Sequence, residues 1–198
     1  MLIFLLDTEN VFREIVTIVT TAAGSKSERI ALRWDEIRVN ARIPGVQTPI
    51  VPDQIKAPPG TDLILVAHAE GVQIYICRGD ETGELSWTLK GPEARLLDHA
   101  GYAIGSHYAG PSWKHNDGSE ISAKLAVKID SPDIGAIPWL LLEVTGHRGQ
   151  GIFSRATSIQ RINTSGGLPP APSVAELEPD QEFRSPYSAD YYFYAPSK

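Results

Sequence analysis

The sequence predicts an all-β protein, an antiparallel sandwich or a partly closed barrel, carrying a short N-terminal helical arm. Three observations predict it. From residue 61 onward apolar side chains recur with a period of two, the spacing that sends alternate residues to opposite faces of a strand. The runs are short and are separated by turns rich in Gly, Pro, Asn and Asp, the punctuation of sandwiches and barrels. No long helical pattern interrupts this region.

Residues 8–22 place Val11, Ile15, Ile18 and Val19 on one helical face, with Asn10 as its cap. The joint Ala23–Glu28 then separates an arm, residues 1–27, from one β-rich domain, residues 28–198. Prolines at 44, 49, 52, 58 and 59 hold the next segment extended and deny it helix. Two strands are expected at 63–68 and 72–77, with Glu70–Gly71 as a tight hairpin between them, Val72, Ile74 and Ile76 on one face, and Gln73, Tyr75 and Cys77 on the outward one. A third strand follows the turn Arg78–Gly83 and points Leu85, Trp87 and Leu89 inward. Asp98–His99 reads as a turn. Further strands are expected at 121–129, with odd positions inward and Lys124 and Lys128 outward, and at 139–144, 157–164 and 191–194. Residues 168–186, rich in proline and acid, read as a polar excursion over the surface.

Charge and composition exclude several classes. Twenty-four acidic against eighteen basic residues give a net charge of −6, a field that repels phosphate backbones, so nucleic acid is not an expected partner. No apolar run has the roughly 20 residues of a membrane helix, and the opening Met1–Leu6, cut short by Asp7 and Glu9, does not read as a signal peptide. Cys77 is the single cysteine; it rules out an internal disulfide and a Cys-rich zinc site. No cofactor is expected. The cluster Gly146–Gly151 has the wrong glycine order and no following helix for a dinucleotide fold.

The segment Gly105–Ser119 gathers two histidines, Tyr108, Trp113 and Asp117 among three glycines, and reads as a shaped loop at the surface. Two alternatives stand. In the functional one, His107 and His115 are acid–base candidates near neutrality, Asp117 orients either imidazole, and Tyr108 and Trp113 stack on a sugar or another planar ligand. In the structural one, Trp113 anchors the core, Asp117–Gly118 is a hairpin turn and His107 is a hydrogen-bonded strand residue. His107, His115 and Asp117 do not have a spacing that fixes a metal on one face, and Gly110–Trp113 lacks the pattern of a nucleophile elbow. Glu143 shares a face with Trp139 and Leu141, as a general base or as the partner of Arg161 or another basic strand residue. Asp190, Tyr192 and Tyr194 share one face of the last strand, Tyr191 and Phe193 the other. Tyr75, His107, Tyr108, Trp113, His115 and Tyr192 form the candidate ligand-binding set of a module for a small molecule or saccharide; the alternatives are a small enzyme using His107 with Asp117 or Glu143, and a structural or interaction protein.

Several of these segments also carry a resemblance. Gly71–Cys77, His107–Trp113 with Asp117–Ser119, Ile137–Leu141, Ile159–Arg161 with Thr164–Gly167, and Pro186–Tyr194 together resemble the family of bacterial and fungal β-rich proteins called domain of unknown function 3455, over about residues 44–194. The resemblance implies an exported, secreted or periplasmic, β-rich domain. It also implies a second cysteine in the segment matching Ala171–Ala175, bridged to the strand of Cys77; this chain has none there. The lone thiol and the absent signal peptide favour the cytosol for this chain.

Overall fold

A computed structural model describes residues 48–171 and 177–198, all within one compact unit, Val46–Lys198. The arm expected at residues 1–27 lies outside the described residues. Eight strands run β1 (Thr61–Gly79), β2 (Leu85–Leu97), β3 (Ala103–Tyr108), β4 (Ser112–His115), β5 (Glu120–Ile129), β6 (Trp139–Arg148), β7 (Ser158–Gly166) and β8 (Glu182–Pro196). Each is antiparallel to the next, and β8 pairs back onto β1, so the sheet closes as a barrel. Closure leaves no strand edge unpaired, which settles the barrel rather than the sandwich.

Several expectations are corrected by this geometry. Glu70–Gly71 is not a hairpin: β1 runs through it without a break. Gly71 is there because a Cβ would overlap the Glu93 carbonyl and Ala94 on β2, and glycine within a strand marks just such a close backbone approach. The inward set of this stretch is Gln73, Tyr75 and Cys77, all buried, while Val72, Ile74 and Ile76 are half-buried on the other face. The segment 105–119 is not a surface loop but most of β3, a tight turn, β4 and the turn that leads into β5. Leu89 is 52% exposed beside a bulge at Ile74/Tyr75. In β5 the inward pattern holds for Ile121 and Ala123, then a register shift at Leu125/Val127 carries Val127 and Ile129 to the outer face.

Two clusters hold the molecule. The inner one centres on Trp113, Phe153, Ile159, Tyr187, Tyr191 and Phe193. The outer one forms where the proline-rich lead-in bends into a 3-10 turn at Asp53–Ile55, docking Val51 and Ile55 on Ile162 with Val127, Ile129, Trp139, Leu141 and Tyr192 around them. There Gln160 donates to the Ile55 carbonyl (2.6 Å) and accepts from the Tyr194 hydroxyl (2.5 Å). Hydrogen bonds made in this way offset the cost of taking these polar atoms out of water and fix the register of the docked segment.

The turns divide between the two ends of the barrel. At one end lie the connections 80–84, 109–111 and 130–138. At the other lie 98–102, 116–119 and 149–157. Asp98 Oδ1 accepts from the amides of Ala100 and Tyr102 (2.9 Å each), so the turn expected there forms as an Asx turn. The second end is plugged by Phe153, which is fully buried on a 3-10 turn, Ile152–Arg155.

Candidate functional site

The residues that face the barrel interior follow from register. Tyr187 pairs with Gly71, Gly71 with Ala94, Ala94 with His107, His107 with Trp113 and Trp113 with Ile121, so one inward row crosses six strands. Small Gly71 and Ala94 stand between large neighbours and let them interdigitate. His107 and Trp113 stack with ring centroids 4.3 Å apart and planes 8° from parallel, and Tyr191 meets both edge-on at 5.1 and 5.6 Å.

His107 is 3% exposed. Its Nδ1 lies 2.8 Å from the Ser112 carbonyl, which only accepts, so Nδ1 carries the hydrogen and Nε2 is an acceptor on the neutral ring. Burial, with the Arg161 charge adding to it against the opposing Ser112 bond, pushes His107 from 6.5 down to about 3. It therefore stays neutral at pH 7 and does not titrate near neutrality as expected of an acid–base group.

Arg161 is the residue the sequence reading used only as a pairing partner. It is half-buried on β7 opposite Tyr191, and its Nε and Nη2 donate to the Pro138 carbonyl at 3.2 and 2.8 Å. Its charge reaches Tyr75, His107, Tyr187 and Tyr191 alike. Desolvation is the first cause that raises the phenols of Tyr75, Tyr187 and Tyr191, so all three are neutral donors. Tyr75 donates to the Gly167 carbonyl at 2.7 Å. Tyr187, Tyr191, Gln73 and Arg161 lie close enough to influence one another, yet Tyr187 Oη, Tyr191 Oη, Gln73 Nε2 and Trp113 Nε1 are buried without completing a hydrogen bond. Over them Gly167, at φ 84°, lies against Ile137, Tyr187 and Gln73 where any Cβ would collide.

The remaining candidates go elsewhere. Asp117 serves the plug at the other end: Oδ1 accepts from Ser119 N and Oγ (2.9 and 2.6 Å), and Oδ2 from Ile152 N (2.7 Å). Partial desolvation acts to raise its carboxyl, but these bonds and the neighbouring His115 hold it well below the usual carboxylate range. His115, ring edge to Phe153, has Nδ1 3.1 Å from Asp117 Oδ2; Asp117 thus meets His115 and not His107. Glu143 is exposed and pairs with Lys124 at 3.0 Å rather than with Arg161. Tyr108 sits on the face opposite His107, and Tyr192 belongs to the outer cluster. Of the sequence-derived set, the structure brings Tyr75, His107 and Trp113 into one interior constellation; Gln73, Arg161, Tyr187 and Tyr191 complete it. Their signal in the sequence was parity, since Gln73 shares Tyr75's face, Arg161 that of Ile159, and Tyr187 that of Tyr191.

No helix among the described residues is long and apolar enough to cross a membrane, and no group of His, Cys, Asp and Glu among them is placed to hold a metal ion. No curated protein and no solved structure matches the chain. A family model described as "Protein of unknown function (DUF3455)" matches residues 58–195, from the last turn before β1 to the penultimate residue of β8, and the chain belongs to that family.

Proposed function

We propose that this protein is a binding module that holds a small molecule or saccharide inside the barrel, against the strands β3 and β4 that flank residues 109–111. One observation carries the reading: four polar atoms, Gln73 Nε2, Trp113 Nε1, Tyr187 Oη and Tyr191 Oη, are buried on the inner face with no hydrogen-bond partner. Leaving such a group unpaired costs about 1–3 kcal/mol, and four of them on one inner face support a ligand with acceptor atoms as the missing partner. An eight-stranded barrel has an interior of the right scale, filled by its own side chains or holding one small ligand. His107 contributes an acceptor, Nε2, and Trp113 the largest apolar wall.

The test has two arms. Protein purified without denaturation is weighed by native mass spectrometry, and a panel of sugars and metabolites is screened for a rise in melting temperature. The expected result is a bound species of small mass or a saturable thermal shift that is lost in Trp113→Phe, which removes the indole donor and keeps an aromatic wall. Absence of both, together with ordered water on Trp113 Nε1 and Tyr187 Oη in a high-resolution crystal structure, overturns the reading.

A further inference from the structure

Resting on that reading, we infer that the ligand is an anion, and that it presents a carboxylate to Arg161. Among the described residues no aspartate or glutamate is buried, and none pairs with Arg161. Its Nε and Nη2 donate to the Pro138 carbonyl and the Tyr191 hydroxyl lies beside it, so among the described residues the guanidinium meets neutral oxygens and no carboxylate. A half-buried guanidinium without a counter-charge is expensive, and the groups gathered round it make the deficit larger. Gln73 Nε2 and Trp113 Nε1, which only donate, and the Tyr187 and Tyr191 hydroxyls, which neighbour each other and can turn a hydrogen outward, are buried without a completed hydrogen bond. One positive charge ringed by neutral donors is the complement of an oxyanion, which brings negative charge and several lone pairs at once. A carboxylate fits the planar guanidinium fork through two parallel N–H bonds. The hydrocarbon part of such a ligand meets Tyr191 and the stacked pair His107 and Trp113.

The probes are benzoate, benzamide and phenyl phosphate, three molecules with one ring and different heads. Each is titrated into wild-type protein by calorimetry, with the indole N–H resonance of Trp113, assigned through Trp113→Phe, as the reporter of interior occupancy. Benzoate is expected to move that resonance and to bind at least tenfold tighter than benzamide. Arg161→Gln should lose most of the benzoate affinity while still folding, and Arg161→Lys, which keeps the charge and loses the fork, should fall between. The wild-type comparison decides even where a variant fails to fold. Benzamide binding as well as benzoate overturns the anion and leaves interior binding standing. Phenyl phosphate binding tighter than benzoate overturns the carboxylate in favour of a phosphate. If none of the three moves Trp113 although a neutral sugar does, the anion assignment is wrong; if neither the probes nor the sugars do, the binding reading itself fails.

Discussion

His107 shows how position overrides side-chain type. An imidazole in water titrates near 6.5, but on β3, stacked on Trp113 and bonded to the Ser112 carbonyl, it is pushed down to about 3. The consequence for stability has a definite sign. Between pH 6.5 and 3 the unfolded chain protonates this ring and the folded chain does not, so stability is full above 6.5 and falls as the pH drops towards 3. At about 1.36 kcal/mol per unit, the loss from pH 7 to 4 is roughly 3 kcal/mol. Urea unfolding at a series of pH values should show this slope in wild type and a shallower one in His107→Gln, which keeps a donor for Ser112 and cannot titrate. Equal slopes would place the protonation elsewhere. Trp113, 1% exposed and touching Tyr191 and Phe193 as well, is the neighbour whose loss leaves a hole. Trp113→Ala should cost about 3–5 kcal/mol, read from the same unfolding curves; a cost below 1 kcal/mol would mean that the interior collapses around the gap.

At the scale of elements, the turn joining β4 to β5 and the segment after β6 form one clamp. Asp117 accepts from Ile152 N, and Ser119 Oγ accepts from Phe153 N at 3.2 Å, which seats Phe153 in the barrel mouth. Gly151, at φ 151°, lies so near the Asp117 carboxylate that a Cβ there would overlap it. Asp117→Ala should destabilise the fold by about 1–3 kcal/mol through the orphaned amides, and Gly151→Ala should destabilise it as well. Combined, the two should cost less than their sum, because removing the carboxylate makes room for the methyl group. Strict additivity would refute the clamp. Because the Asp117 carboxyl is held low, its contribution is present above pH 3.8 and disappears as the pH falls below it.

This clamp also marks what a sequence can disclose. Asn116–Gly118 announces a turn, and Asp117–Gly118 is one, with Gly118 at φ 91°. The contact of that turn with residues more than thirty positions later has no local signature. Most strands of the barrel were legible because period-two alternation is a local consequence of the pleat. What misled was chemistry on the inner face. Gln73, Tyr75, His107 and Arg161 look like surface residues, whereas a barrel that gathers polar groups inside puts Val72, Ile74 and Ile76 on its outer side. The strand's alternation was correct and its polarity reversed, and Gly71, required by a close approach of β2, passed for a turn.

The whole molecule is held by the pairing of its first and last long strands. β1 and β8 run together from Thr61↔Pro196 to Ile76↔Glu182, while β3 and β4 share a ladder only from Gly105↔His115 to Tyr108↔Ser112. Closing the ring requires residues far apart in sequence to meet, so the loop-closure entropy falls on the β1–β8 seam. Once formed, that seam cannot open locally without losing Tyr187, Tyr191 and Phe193 from the inner cluster together. Its amides should therefore exchange with solvent only through global unfolding, with protection equal to the full unfolding free energy, whereas the amides of β3 and β4 should exchange through smaller openings. On the proposal that the barrel encloses a ligand, the short hairpin of β3 and β4, carrying His107 and Trp113, is the segment expected to yield to let it in. Native-state hydrogen exchange followed by NMR measures both. If amides such as those of Ala67 and Tyr191 exchange faster than those of His107 and Trp113, the seam is the mobile part and entry runs between β1 and β8 instead.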